Sequence, residues 1–344
     1  MTTLTTLTTS SSSVPQGLVV VPGSAVDAVL ADCLKETKGI VRQVYGEASE
    51  GRLVNPDSLF LRPDAERRER VIALPAYVPG PPAAMGIKWI SSFPENLAEG
   101  LPRASALIVL NDPRTGFPVA VLEGARISAH RTALSALVGA EALLGEARSV
   151  GSVAVVGTGY ISRTTVRVLA AENWSCDTLQ VFDLDADRAE AFAAEAPAAF
   201  AGRTRVAASL REAVADADLV LLATTATVPH VTDGGWFKQG ATVLHMSLRD
   251  LTPAALADAD HVVDEVSHAL REKTSLALAV EQGAVEPGRI RAVGELLRGV
   301  ARRDPGRTVV YAPFGLGSLD IAVARLVLER AGGLEGVRTV PDFF

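Results

Sequence analysis

The chain has 344 residues, 48% of them hydrophobic but only 5% aromatic, and a formal charge of −7. That length gives room for about two domains with aliphatic cores, and an acidic balance without a basic stripe argues against a nucleic-acid-binding surface. Two distant cysteines, Cys33 and Cys176, argue against a disulfide framework, and five histidines without zinc-ligand spacing argue against a catalytic metal.

Residues 1–14, "MTTLTTLTTSSSSV", are polar and low in complexity, without the basic and apolar segments of a signal peptide. A disordered tail on a cytoplasmic protein is expected there. No later run reaches the ~18 apolar residues of a spanning helix, so no membrane partner is expected. After Pro15, "GLVVV" predicts a short strand, followed by one or two helices through "VRQVYGEA". "SLFLRP", "RVIALPAYVP", "AMGIKWISS" and "SALIVLND" are short apolar runs closed by Pro, Gly, Asn or Asp, the pattern of an antiparallel sheet. Turn residues 111–116 lead into a strand over 117–122. "ARISAHRTALSALVGAEALL" then predicts a helix of small residues that packs closely, on which the permanent cation of Arg131 stands out.

The pattern changes at Gly151. "SVAVVG", "LQVFD", "TRVAAS", "LVLLATT", "ATVLHMS" and "HVVDE" read as strands separated by helices such as "ISRTTVRVLAAE" and "LREAVADA". Strands alternating with helices mean a parallel sheet covered on both faces. "TVVYAPFGLGSLDIAVARLVLERAGG" adds a last strand, a glycine-rich loop and an amphipathic helix that is expected to return to the first domain. The fold class is therefore α/β, with a dinucleotide-binding (Rossmann) domain over residues 136–315. An α+β substrate-binding and dimerisation domain is expected from residues 15–135 and 316–344.

The nucleotide signature is "VAVVGTGYIS", a G-x-G-x-x-S with Gly157, Gly159 and Ser162 between a buried strand and a helix. Glycines permit the tight turn and the approach of a pyrophosphate, and the helix start offers N–H groups and a positive dipole end. Gly157, Thr158, Gly159, Tyr160 and Ile161 are thus the expected cofactor cradle. Asp183, closing the next strand in "VFDLD", is placed to accept the ribose hydroxyls and to repel a 2′-phosphate, which favours NAD over NADP.

The order "GIKWI", "ALIVLNDPRTGFPVAVLEGARISAHRTA", "VVGTGYIS", "MSLRD", "FGLGSLDIA" resembles the ornithine cyclodeaminase/mu-crystallin family over nearly all of the chain after about residue 18. Within it, "MGIKWISSFPENLAEGLPRASALIVLNDPRTGFPVAVLE" looks most like the branch that makes 2,3-diaminopropionate for siderophores or peptide antibiotics. There, N-(2-amino-2-carboxyethyl)-L-glutamate is oxidised with NAD and the imine hydrolysed to 2,3-diaminopropionate and 2-oxoglutarate. The cyclodeaminases carry a "GGDCPGKTE"-like segment where this chain has "MSLRDLTPAAL". That argues against ornithine while keeping Asp250.

By this resemblance Lys88, Arg131, Arg62 and Phe314 bind substrate, Arg131 reaching the cofactor as well. Asp250 is the general acid–base, with Lys88 beside it in the chemistry. Ser105, Thr224, Thr225, Ser247, Leu248 and Gly315 contact the cofactor. A homodimer is implied. Asp320 is explained by helix capping at least as well as by catalysis, and His130 by packing. The same resemblance leaves open an ornithine or lysine cyclodeaminase, an alanine or imino-acid dehydrogenase, and a non-catalytic NAD(P)H-binding protein of the mu-crystallin kind.

Overall fold

The computed structural model describes residues 17–64, 67–145, 147–271 and 273–344, so the tail expected at 1–14 lies outside the described residues. The chain divides into two compact units. The first takes residues up to Ile40, Arg52–Arg131 and Leu316–Phe344; the second takes Val41–Gly51 and Thr132–Gly315. The division falls inside the helix Ala125–Leu144, just after Arg131. The second half of the helix Leu34–Ser49 belongs to the second unit, where the Tyr311 hydroxyl donates to that of Tyr45 at 3.1 Å. No helix among the described residues is long and apolar enough to cross a membrane.

In the first unit the expected strands form one seven-stranded sheet. Its order is Arg338–Pro341, Gly17–Val21, Pro118–Glu123, Ala104–Asn111, Ala84–Ser92, Arg70–Val78, Leu59–Leu61. The sheet is mixed where antiparallel pairing was expected throughout, because Gly17–Val21 runs parallel to Pro118–Glu123. Its other edge is closed by Arg338–Pro341, a strand whose exposed, polar-flanked sequence gave no signal. In the turn before Pro118–Glu123, Asp112 Oδ1 accepts the N–H groups of Arg114 and Thr115, which turns the chain back for the hairpin.

Strand alternation sends Lys88, Ile108, Leu110, Ala120 and Leu122 to one face of this sheet, where all are buried. The helix Gly317–Arg330 packs on the strands Arg70–Val78, Ala84–Ser92 and Ala104–Asn111. It is buried around more than one stripe, from Gly317 to Val327, so it is a core helix instead of the amphipathic cover expected. Gly317 makes the close approach possible: a Cβ there would lie 3.1 Å from both Cβ and O of Leu74.

The second unit holds an eight-stranded sheet whose adjacent pairs are all parallel. The order is Ile290–Ala292, Asp260–Val263, Val309–Tyr311, Thr242–His245, Leu219–Leu222, Ser149–Val156, Ser175–Phe182, Ala201–Val206. "LVLL" and "TVLH" are buried at every position, which is why these strands read as unbroken apolar runs instead of alternating ones. Each fully buried Val or Leu of this core contributes about 1.5–3 kcal/mol. The strand order reverses between Ser149–Val156 and Leu219–Leu222, and ligands of open parallel sheets bind at the carboxyl ends beside such a switch.

Candidate active site

Among the described residues both units carry clusters of buried polar groups built around a carboxylate. In the first, Lys88 is 2% exposed on the inner face of its strand, and its Nζ donates to Asp320 Oδ2 at 2.6 Å and to Ser128 Oγ at 3.1 Å. Arg131, on the same helix as Ser128, donates through Nε to Asp320 Oδ1 at 3.1 Å. Two cations therefore share the single carboxylate of Asp320, which is completely buried in the first turn of the last helix. Burial lowers the Lys88 pKa to about 8, Asp320 holding it up and Arg131 pressing it further down. Burial pushes the Asp320 carboxyl up, but the charges of Arg131 and Lys88 outweigh it and hold it below its ordinary value. The arginine that stood out on a small-residue helix is thus a paired, buried charge.

In the second unit the glycine-rich turn follows Ser149–Val156. Gly157 has φ +83°, and a Cβ there would lie 2.7 Å from the carbonyl oxygen of Ala223. Gly159 caps the helix Tyr160–Ala171 without a side-chain bond, and a Cβ on it would meet nothing within 4 Å. The uncapped helix start therefore opens on free space, which fits a pyrophosphate. Asp183 Oδ2 accepts the N–H and the hydroxyl of Thr158, both at 2.7 Å. Burial raises its pKa, and these bonds more than reverse the effect, so the group is an ionised acceptor at the end of the second strand. Tyr160 is 60% exposed beside the turn.

Asp250 lies past the carboxyl end of Thr242–His245 and is completely buried. Thr224 donates to its Oδ1 and Ser247 to its Oδ2; His245 Nε2 lies 2.9 Å from Oδ2. The backbone N–H of Asp250 also points at His245 Nε2, at 3.2 Å. One nitrogen cannot both donate and accept, and the shorter contact with an ionised oxygen favours donation. Burial pushes the Asp250 carboxyl up, but the His245 bond and charge and the two hydroxyls bring it down to about 2. His230, part-exposed, stands with Nε2 at 3.7 Å from Oδ1. Leu248 between Ser247 and Asp250 adopts φ +68°, a left-handed conformation that costs a bulky residue of order 1–3 kcal/mol. Farther along, the buried Asp264 accepts the N–H groups of Phe314 and Gly315 at 3.0 and 2.6 Å and so holds the start of the glycine-rich loop. Burial holds its pKa above the ordinary value against those bonds.

Several expected site residues are therefore gathered: Lys88 with Arg131, and Thr224 and Ser247 with Asp250. Thr225 follows Thr224 in sequence, and Ile161 follows Tyr160 at the start of its helix. Two are not gathered. Arg62 is exposed past the edge strand, its guanidinium 4.9 Å from the centre of the Phe60 ring. Ser105 lies on the opposite sheet face from Lys88, because it stands three residues from Ile108, the partner of Lys88, and it bonds to Ser91 Oγ at 2.7 Å. Ser128 is a partner that sequence reasoning left out, and Asp320, read there as a helix cap at least as much as a catalytic group, is the carboxylate that joins the pair. A signal existed: Asp320, Lys88 and Arg131 are the charges set among apolar or small residues, and burying three charges requires pairing them. His130 is a packing residue, with Nε2 3.1 Å from Thr37 Oγ1 and a pKa brought down to about 4 by burial.

A parallel sheet with a glycine turn and a helix start beside its topological switch defines the dinucleotide-binding class of fold. A profile of the ornithine cyclodeaminase/mu-crystallin family matches residues 23–335, and the chain belongs to that family. It is 27% identical to N-((2S)-2-amino-2-carboxyethyl)-L-glutamate dehydrogenase of Staphylococcus aureus, over 87% of this chain and 93% of that one. Among solved structures it is similar to Δ1-pyrroline-2-carboxylate reductase of Thermococcus litoralis, in complex with NADH and L-proline. The TM-score is 0.82 and the identity 26%, covering 91% of this chain and 97% of that one. An archaeal alanine dehydrogenase dimer with bound NAD shares the fold at TM-score 0.83 and 22% identity, over 95% and 100% of the two chains.

Proposed function

We propose that this chain oxidises N-(2-amino-2-carboxyethyl)-L-glutamate with NAD+ and hydrolyses the imine to L-2,3-diaminopropionate and 2-oxoglutarate, for siderophore or peptide-antibiotic assembly. The coarser assignment is plain: it is an NAD-dependent oxidoreductase of the CH–NH type, an imino-acid dehydrogenase or reductase. The observation that carries the reading is the buried Lys88–Arg131 pair, two cations fixed on one carboxylate. A substrate with several carboxylates needs such groups, and a guanidinium fork can hold one bidentately. The Staphylococcus aureus relative supports the particular amine.

When bound, NAD+ supplies the acceptor for the hydride of the carbon that bears the nitrogen. The turn 157–161 would hold its pyrophosphate on backbone N–H groups and Asp183 its ribose. Lys88 and Arg131 grip carboxylates and orient the amine. Asp250 stays ionised, and its three donors make it a weak base by itself. Acting with His230 at 3.7 Å, it stabilises the imidazolium that forms when His230 takes a proton from the amine or from the attacking water.

The chain also pairs with a second copy in this reading. Cross-strand partners Leu59, Ala73, Trp89 and Leu107 form one apolar row on the outer sheet face, with Leu59, Trp89 and Leu107 63%, 39% and 41% exposed. Light scattering should give a dimer, and Trp89→Glu with Leu107→Glu a monomer.

The similarity to the Thermococcus litoralis reductase favours a second reading, reduction of a cyclic imino acid. A substrate panel separates the two. NADH formed from the N-substituted glutamate supports the first. NADH consumed by Δ1-pyrroline-2-carboxylate alone supports the second. Ammonia from ornithine without NADH build-up points to a cyclodeaminase, and NADH binding with no turnover to a mu-crystallin-like binding protein.

A further inference from the structure

We propose that Asp320 is the positioning residue of the carboxylate-gripping site, the anchor that sets Lys88 and Arg131 side by side at a fixed spacing. The proposal rests on the reading of that pair as the substrate grip. Its four groups all lie within one unit. The two oxygens of Asp320 are divided, Oδ2 to Lys88 Nζ and Oδ1 to Arg131 Nε. Ser128 Oγ sits between the same two cations, 3.1 Å from Lys88 Nζ and 3.4 Å from Arg131 Nη2. Four groups from three elements thus converge: a strand, the small-residue helix, and the first turn of the last helix. Helix capping does not explain Asp320. Leu316 is the N-cap, and the Asp320 side chain receives cations from other elements, with no backbone N–H of its own first turn among its bonds.

The bond from Arg131 Nε to Asp320 and the contact of its Nη2 with Ser128 fix the plane of the guanidinium fork. The bond to Oδ2 fixes the Lys88 ammonium, which otherwise swings on a four-carbon stem. Asp320 also determines whether Lys88 is charged. Burial and Arg131 both favour the neutral amine, and Asp320 opposes them. Without it, two buried cations face each other and Lys88 releases its proton at a lower pH.

The test compares the full chain with Asp320→Asn from about pH 6 to about pH 10, by thermal melts, NADH affinity, and KM and kcat for the N-substituted glutamate. NADH affinity should change far less than KM, as only Arg131 of the pair is expected to reach the cofactor. KM should rise tenfold or more, with the smaller effect on kcat. The pH above which KM climbs should move down by about one unit or more. A uniform loss of kcat with the pH dependence unchanged would make Asp320 merely structural and overturn the proposal. If the wild-type chain does not turn this substrate over, the substrate reading has failed, but the melts still decide on Asp320. Its removal should destabilise most below about pH 7, where Lys88 is charged, and less as pH rises through 8. A stability gap that is constant with pH would refute the anchor.

Discussion

Asp250→Asn tests the second cluster, because its cost can be worked out from the structure. The Asp250 pKa is brought from 3.8 to about 2, and nearly two units of depression correspond to about 2 kcal/mol of stability at neutral pH. The sign follows from the direction. The folded value lies below the unfolded one, so this stability is present above about pH 4 and is lost as pH falls toward 2. Asparagine removes it and turns one acceptor oxygen into a donor facing Thr224 on one side or His245 and Ser247 on the other. That adds about 1–3 kcal/mol for a buried group left unmatched. A total of about 3–5 kcal/mol should lower the melting temperature by roughly 10 °C in a unit of this size. Calorimetry at neutral pH should show that fall, and the gap between variant and parent should narrow below about pH 4. An unchanged melting temperature, or a gap that widens in acid, would refute this picture of an ionised carboxylate held by three donors.

Other expectations follow from the same geometry. Arg131→Ala should reduce kcat/KM for the N-substituted glutamate a hundredfold or more, about 3 kcal/mol, while NADH affinity measured by fluorescence changes far less. In the parent enzyme, KM should rise as pH passes about 8, because the Lys88 pKa is depressed to that value and the neutral amine no longer holds a carboxylate; a flat KM up to about pH 10 would contradict this. Gly157→Ala forces a side chain onto φ +83° and against Ala223, so NADH titration should show binding lost or weakened at least tenfold. Asp183→Ser should narrow the preference for NAD over NADP in paired kinetic assays, since the carboxylate that repels a 2′-phosphate is gone.

Much of the fold was legible because local chemistry dictates it. "SVAVVGTGYIS" combines an apolar strand, a glycine turn and a helix start, and those features survive in Ser149–Val156 and Tyr160–Ala171. Pairings between distant segments were not legible. Nothing in "VVY" says that the last parallel strand inserts between Thr242–His245 and Asp260–Val263, because the central strands of such a sheet are similarly apolar. The same limit applies to the site. Arg131 announced itself as a charge on a small-residue helix, and Lys88 was singled out by the family resemblance. Their common partner Asp320 is 189 residues beyond Arg131 and resembled a helix-start acid. Ser105 stands an odd number of residues from Ile108, the partner of Lys88, and strand alternation turns its side chain to the other face. The environment of Asp250 was not legible either: Thr224, Ser247 and His245 come from separate positions to wrap its buried carboxylate and hold it ionised.

The central claim is that oxidation at a CH–NH bond is followed by release of a free oxo acid. Its most direct measurement is the product balance when the purified chain is incubated with NAD+ and N-(2-amino-2-carboxyethyl)-L-glutamate. The account predicts NADH, 2-oxoglutarate and 2,3-diaminopropionate in equal amounts. NADH without 2-oxoglutarate, or no NADH while Δ1-pyrroline-2-carboxylate is reduced, would contradict it.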